Sequence, residues 1–476
     1  MTSQLPASAT LQATGEYERS LQFLYNRLNY ERQVRGAEDY PFRLQRFIKL
    51  LQELDLGHFL HEPGVDPSVP LIHIAGTKGK GSTATMVSSV LTDAGYRTGL
   101  YSSPHLHDLE ERFRIDGLPC TPKQLVDLVD SLRAPTTQIE QADGALSFFE
   151  LTTALALLHF QRQHCDVVVV EVGLGGRLDS TNVCAPSVTA ITSIGLDHQH
   201  VLGHTLEKIA AEKAGIIKSP VPVVSGATQP EVNAVIRDKA NTVGAPFYCL
   251  GNHFDVDYQP ASDWGSSAVF RGHRAPLARE RRIQLSMEGA HQAKNAAIAA
   301  VLIDLLRDRT LVRGKPFQIS ESAIERGLAN CHCIGRTERW LLNDNRMAIV
   351  DSAHNDDSIE ALCDTLRQRC ADRPIVTVFG TSTDKTVEPM LNRLAEVSTR
   401  LVLTRFLGNP RYRDPEQLRP LVSESIRNQT EVVEDPLRAC EIALSSTPPG
   451  GTLVVCGSFF LAAECRHWIA QQSKRA

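Results

Sequence analysis

The chain has 476 residues, 42% of them apolar and 22% charged, with 50 Lys+Arg against 55 Asp+Glu for a formal net charge of −5. That length accommodates two or three domains of roughly 100–200 residues each, and the composition excludes bulk disorder and fibrous rods. The balance is mildly acidic and no block is strongly basic, which argues against nucleic-acid binding through charge.

Residues 1–15 are rich in Ser, Thr and Ala and are expected to fray. From Tyr17 to Leu60 the pattern is helical: Phe42, Leu44, Phe47, Leu50, Leu51 and Leu54 recur mostly at spacings of three and four. Residues 63–70 form a connector punctuated by Pro and Gly. Residues 71–75, Leu-Ile-His-Ile-Ala, read as a buried parallel strand, followed by a Gly-rich turn and by Met86, Val87, Val90 and Leu91 at helical spacing. Further buried strands are predicted at 167–170, 188–194 and 222–224, with amphipathic helices between some of them, which predicts a doubly wound α/β sheet. Residues 251–282 are polar, with Gly, Pro and several Arg, and read as surface strands or loops; 291–306 reads as a strong helix. Around 331–338 the chain hands over to a second unit, with strands predicted at 347–350, 375–379, 401–404 and 453–455. Helices are predicted at 358–370 and 436–445, the latter with Pro436 in its first turn, where a missing N–H costs nothing. The organisation is two α/β domains, residues 1–333 and 334–476, without an internal repeat.

Eleven scattered cysteines, an odd number, read as reduced thiols of a cytosol. Cys331-His332-Cys333 lacks a second ligand pair and reads as loop or core, not as a zinc site. No Lys or Arg precedes Arg19, so no secretory or transit signal is expected. The longest apolar stretches, 296–303 and 451–463, are too short to span a bilayer. The expectation is a cytoplasmic protein without membrane or nucleic-acid partners.

The chemistry begins at Gly76-Thr77-Lys78-Gly79-Lys80-Gly81-Ser82, between the first strand and its helix. Glycines let successive N–H groups curl around phosphate oxygens, and a helix start adds about half a positive charge. Lys80 can reach the outer phosphates, and Ser82 carries a hydroxyl suited to Mg²⁺ or phosphate. Gly81 separates Lys80 from Ser82, so the loop departs from the usual Gly-Lys-Ser/Thr ending and argues against an ordinary GTPase or kinase.

This loop resembles that of the Mur-type ATP-dependent amide ligases, in particular folylpolyglutamate synthase and the bifunctional dihydrofolate synthase. The likeness continues in order through Ser102-Ser103-Pro104-His105-Leu106, Glu111-Arg112-Phe113-Arg114 and Ser147-Phe148-Phe149-Glu150. It includes 171–182 (EVGLGGRLDSTN), 192–198 (TSIGLDH) and 212–218 (EKAGIIK). In the second unit it includes Gly335-Arg336, Asp351-Ser352-Ala353-His354-Asn355, Asp384-Lys385 and Gly457-Ser458. Three positions depart: Lys78 where the family usually has Asn, Ser352 for a common Gly, and Thr386 for an Asp.

The resemblance implies an N-terminal P-loop ATPase-like doubly wound domain and a smaller C-terminal Rossmann-like α/β domain. It implies that Gly76, Thr77, Gly79, Lys80, Gly81, Ser82, Asn295, Arg336 and Asp351 bind ATP, that His354 lies near the γ-phosphate, and that Ser103, Glu171 and His198 coordinate Mg²⁺. Glu171 ends one strand and His198 follows another, and open α/β sheets place ligands at the carboxyl ends of strands. Phe148 and Phe149 would lie near the pterin, with an aromatic face to stack, and residues 173–182, with Arg177 and Asp179, would form a mobile loop near the substrate. Lys213 would be carboxylated by CO₂ to a carbamate that serves a second Mg²⁺; an ordinary solvated lysine paired with Glu207 or Glu212 is the plain alternative. Nucleotide would occupy the cleft of the two domains, whose closure excludes water.

The expected function is an ATP- and Mg²⁺-dependent ligase, acting as a monomer, that joins glutamate to a folate, to dihydropteroate, or to both. The rivals are a peptidoglycan-precursor amino-acid ligase of the same architecture and a P-loop nucleotide switch.

Overall fold

Parallel strands with continuous apolar runs must be covered on both faces, and two sheets here follow that rule. In the computed structural model, which describes residues 7–29, 44–65, 67–261, 264–309, 311–312 and 314–474, the larger sheet is built from eight strands. They are β1 (Leu71–Ala75), β2 (Thr98–Tyr101), β3 (Phe113–Ile115), β4 (Leu118–Pro119), β5 (Val167–Glu171), β6 (Val188–Ile191), β7 (Val223–Ser225) and β8 (Phe247–Cys249). Their order is β4-β3-β2-β5-β1-β6-β7-β8. β1 is parallel to both neighbours, with Ile72 opposite Val169 and Val188. Every residue of β1 and β5 is buried; the four valines of β5 are stiff at χ1 and suit that pleated, two-sided environment.

Three strands, β9 (Phe254–Pro260), β10 (Ser266–Gly272) and β11 (Glu280–Leu285), form their own sheet in the polar stretch that reads ambiguously in sequence, and β12 (Leu311–Val312) pairs with β13 (Lys315–Pro316). The second large sheet contains β14 (Glu338–Leu341), β15 (Met347–Val350), β16 (Ile375–Phe379), β17 (Arg400–Leu403), β18 (Thr430–Val432) and β19 (Thr452–Cys456), in the order β14-β15-β19-β16-β17-β18. All its pairings are parallel except β14 with β15. The chain divides into two compact units: Met1–Val256, Val269–Ile283 and Lys294–Asn330 form one, and Asp257–Ala268, Gln284–Ala293 and Cys331–Ala476 the other.

The predicted strands in the two sheets are present, those at 71–75, 347–350 and 375–379 with the predicted ends and the others with ends shifted by at most three residues. The short strands β2, β3, β4, β8, β14 and β18 carry too few apolar residues to stand out in sequence. The N-terminal expectation needs correction: helix Ala7–Tyr25 begins inside the stretch expected to fray. Residues 1–6 and Phe42 lie outside the described residues. The helical pattern from Tyr17 to Leu60 resolves into the end of that helix, helix Leu44–Glu53 and the 3₁₀ turn Gly57–Phe59.

Helix starts are written into side chains. Thr121 caps helix Pro122–Asp143 and Ser147 caps helix Phe148–Arg162, each in a reciprocal capping box, with Gln124 and Glu150. The Ser147–Glu150 box is also an anchor. Glu150 accepts the Ser147 amide at 2.8 Å and hydroxyl at 2.6 Å, and both its oxygens accept Arg46 at 2.9 Å. Arg46, on helix Leu44–Glu53, is buried with it beside Phe47, Leu50 and Leu51. An Arg46→Met variant leaves the Glu150 carboxylate buried without its counter-charge. The expected cost is about 3–5 kcal/mol, read as a lower urea midpoint at unchanged m-value.

Candidate active site

The phosphate loop emerges from β1 and enters helix Lys80–Asp93, whose N-cap is Gly79. Gly79 has φ +81° and Gly76 φ +150°. A Cβ on Gly76 would run into the Thr192 hydroxyl, and one on Gly79 into the Asn295 carboxamide. Both glycines are therefore required by conformation and by space. Asn295, expected to meet nucleotide, is thereby placed against the loop.

The loop is held from the chain after β6. The Thr77 amide donates to the Ser193 carbonyl at 2.8 Å and the Lys78 amide to the Ser193 hydroxyl at 2.9 Å. The Thr192 hydroxyl donates to the Lys78 carbonyl at 2.6 Å. The Thr77 hydroxyl accepts the Gly195 amide at 3.1 Å. Lys78, one of the departures from the family pattern, places Nζ 3.3 Å from Asp197 Oδ2. Thr192, Ser193 and Asp197 belong to a motif from which sequence reasoning singled out only His198. His198 itself is in the left-handed conformation, φ +49°, at the start of helix Gln199–Leu202, with its side chain 43% exposed.

Glu171 ends β5 and is buried. Its Oε2 accepts the Ser103 amide at 3.1 Å and stands 3.4 Å from where a Cβ on Gly81 would be. The carboxylate therefore faces the phosphate loop, and the additional glycine keeps that space open. Among the described residues no group of three or more His, Cys, Asp or Glu gathers as a metal centre. The Glu171 carboxylate and the hydroxyls of Ser103 and Ser82 are oxygen donors, the class Mg²⁺ prefers, with phosphate and water supplying the rest. On that donor chemistry the residues fit the ion.

Lys213 lies in the last turn of helix Leu206–Ala214, which Thr205 caps by accepting the Lys208 amide at 3.3 Å. Its side chain is buried. Burial brings its ammonium down to about 7, and the cations Lys80 and Lys78 act in the same sense against the pull of Asp197 and Asp179. The solvated alternative does not hold, and Glu212 pairs instead with Arg177 at 2.9 Å.

Three substrate-side expectations need correction. Phe148 is 1% exposed, stacked on Tyr25 at 5.2 Å and with the Arg112 guanidinium 5.2 Å over its ring, so it offers no face to a pterin. Asp179 is buried and spent on its own segment: it accepts the amides of Leu174 at 2.9 Å and Thr181 at 3.0 Å and the Thr181 hydroxyl at 2.5 Å. The stretch 173–182 is accordingly a pinned segment. Phe149 packs its ring where a side chain on Gly173 would be, and Arg177 keeps an exposed guanidinium.

In the second unit, Asp351 follows β15. Its Oδ2 accepts the Thr337 amide at 2.6 Å and its Oδ1 the Ala353 amide at 2.7 Å. The Arg336 guanidinium donates to the Ser352 hydroxyl, giving that departure from the family pattern a partner. His354 Nδ1 lies 2.9 Å from the Ser352 carbonyl. A carbonyl only accepts, so Nδ1 carries a proton.

Residues 74–303 match the Mur ligase middle domain, and residues 335–459 the Mur ligase glutamate ligase domain. The dihydrofolate synthase/folylpolyglutamate synthase of Bacillus subtilis is 33% identical over 403 residues, 84% of this chain and 90% of that one. The structure of Mycobacterium tuberculosis folylpolyglutamate synthase complexed with ADP superposes with a TM-score of 0.83 at 30% identity, over 96% of this chain and 98% of that one. A folylpolyglutamate synthase–AMPPCP–folate complex superposes with a TM-score of 0.77 at 29% identity, over 95% and 99%.

The loop geometry is testable directly. Gly79→Ala forces a left-handed alanine against Asn295, at a cost of roughly 1–2 kcal/mol. Calorimetry should show ATP affinity reduced about tenfold or more; undiminished affinity would mean the observed loop conformation is not the binding one.

Proposed function

The chain belongs to the Mur ligase family, in its folylpolyglutamate synthase/dihydrofolate synthase branch, and on that premise we propose that it is an ATP-dependent ligase joining L-glutamate to a folate, to dihydropteroate, or to both. The peptidoglycan-ligase and nucleotide-switch readings are not favoured by these relatives. One observation of this chain carries the proposal: a buried carboxylate, Glu171, faces a phosphate-type loop at a helix start, with a buried lysine, Lys213, close enough to feel the charges of Lys80 and Lys78.

The chemistry such a site must perform is amide formation from an unreactive carboxylate. A carboxylate oxygen of the pteroyl or glutamyl substrate attacks the γ-phosphorus, the bond to the ADP oxygen breaks, and an acyl phosphate forms. The glutamate amine then adds to the acyl carbon, loses a proton and expels phosphate. The loop amides and Lys80 hold the phosphates in line, and stabilise charge moving to the leaving oxygen. Mg²⁺ held by Glu171 and Ser103, with His198 as a further ligand, would neutralise phosphate charge. In the second unit, His354 is proposed to act on phosphate and Asp351 to fix the backbone at Thr337 and Ala353.

Lys213 is proposed to carry a CO₂-derived carbamate. Only a neutral amine attacks CO₂; an ordinary lysine, with pKa ~10.4, is scarcely neutral at pH 7. With its pKa down at about 7, Lys213 is substantially neutral there. The carbamate replaces a buried cation by an anion with two oxygens, a ligand class suited to Mg²⁺.

Ligation of labelled glutamate to dihydropteroate and to tetrahydrofolate, tested separately, decides the substrate; phosphate release without either acceptor would overturn the ligase reading. Lys80→Ala should lose more than about tenfold in kcat, over ~1.4 kcal/mol, with an unchanged thermal melt. Lys213→Ala should lose activity and recover part of it with acetate. Because the Lys213 pKa is lowered, wild-type activity at limiting CO₂ should rise with pH through about 7 rather than through the ordinary lysine range.

A further inference from the structure

The 212–218 motif contains a second lysine that the ligation chemistry above does not use. Lys218 donates from Nζ to the carbonyl of Asn182 at 2.6 Å and to that of Cys184 at 2.5 Å. These carbonyls lie at the end of the 3₁₀ turn Ser180–Val183 and on its C-cap. Three titratable side chains feel its charge: the imidazoles of His61 and His73, and the thiol of Cys184. Burial brings Lys218 down only to about 8, so at neutral pH it remains an ammonium with three donors to place.

The turn is fastened on another side to β1. His73 Nε2 lies 2.8 Å from the Thr181 hydroxyl, which gives its one proton to Asp179 Oδ1 at 2.5 Å. Nε2 must therefore be the protonated nitrogen of His73, and burial holds that ring neutral, its pKa down to about 3. β1 leads directly into the phosphate loop.

On its remaining side the segment lies on the end of the helix that carries Lys213. The Arg177 amide donates to the Glu212 carbonyl at 2.8 Å, and Asn182 Nδ2 to the Gly215 carbonyl at 3.2 Å. A Cβ on Gly176 would stand 2.8 Å from the Lys213 carbonyl oxygen and 3.0 Å from its Cα, and one on Gly215 would run into the Arg177 backbone. At Gly176 and Gly215 the two backbones approach directly, which couples segment 173–185 to the end of the Lys213 helix.

We propose that Lys218 is a positioning residue for the ligation: by capping the carbonyls of Asn182 and Cys184 it locks segment 173–185 onto the end of the Lys213 helix and so sets where Lys213 stands relative to the phosphate loop. The proposal rests on the reading of Lys213 as a group of the reacting site. A hydrophobic side chain of similar length would fill the same space yet abandon both carbonyls, whereas arginine retains charge and donors.

The test uses the full chain as Lys218→Met, Lys218→Arg and Thr181→Val, the last cutting the His73–Thr181–Asp179 link with little change of volume. Steady-state ligation is measured for each, and carbamate is read by carbon NMR under ¹³CO₂. Lys218→Met should lose roughly ten- to a hundredfold in kcat while KM for ATP moves less than about threefold, because the loop itself is intact. Lys218→Arg should recover to within about threefold of wild type in kcat, and Thr181→Val should fall in the same direction as Lys218→Met. A carbamate resonance present in wild type should weaken in Lys218→Met. Full kcat in Lys218→Met, no recovery with arginine, or an undiminished carbamate resonance in Lys218→Met would each overturn the proposal. Wild type without that resonance sinks the carbamate reading instead, and the kinetic comparison of Met with Arg then decides on Lys218 alone. Should Lys218→Met fail to fold, Lys218→Arg and Thr181→Val carry the test.

Discussion

Charge held out of water at the carboxyl ends of parallel strands is the constraint on which the rest of this structure depends. Glu171 and Asp351 end or follow buried strands, and Lys213 and Asp179 lie in the chain that crosses beyond them; all are nearly inaccessible. A buried charge left unpaired is expensive, so each must be met by hydrogen bonds or shift toward neutrality. Asp179 and Asp351 are met by backbone amides and hydroxyls, though burial still pushes the Asp179 carboxyl above its ordinary value. Lys213 shifts, and that shift is what makes it chemically interesting. Charges in such a low-dielectric setting interact far more strongly than they would in water.

Rigidity is the second consequence. A loop that binds phosphate through its amides is most effective when those amides are aligned before the ligand arrives. Here residues 192–195 hold the loop backbone at Thr77 and Lys78, while Thr192 and Asn295 occupy the space that side chains on Gly76 and Gly79 would need. The 173–185 segment is fixed likewise, through Asp179, His73 and Lys218. A glycine-rich stretch suggests motion by composition, yet the glycines here permit close backbone approach: Gly176 and Gly215 are where two backbones touch.

Family-typical residue patterns divide between chemistry and architecture. Ser147-Phe148-Phe149-Glu150 contains a capping box, a buried ion pair to Arg46 and an enclosed ring in its first three roles. Asp179 organises the 3₁₀ turn that follows it. A recurring motif beside an active site is thus no guarantee that each of its side chains meets substrate; some exist to aim the others.

The amino-acid sequence by itself determined the two α/β sheets, because long runs such as Val167–Val170 and Ile375–Phe379 are apolar on both faces and need covering on both. It also determined the ligase class, through ordered motifs over most of the chain. Short edge strands escaped it, since β4 and β18 carry only a few residues of pattern. Only the tertiary structure decided which polar residues are spent on architecture, because that depends on partners far apart in sequence. Arg46 meets Glu150 across 104 positions, His73 meets Thr181 across 108, and Lys78 meets Asp197 across 119. It also decided that Lys213 is buried while Arg177 is exposed: burial is a property of what packs against a side chain, which no local spacing encodes.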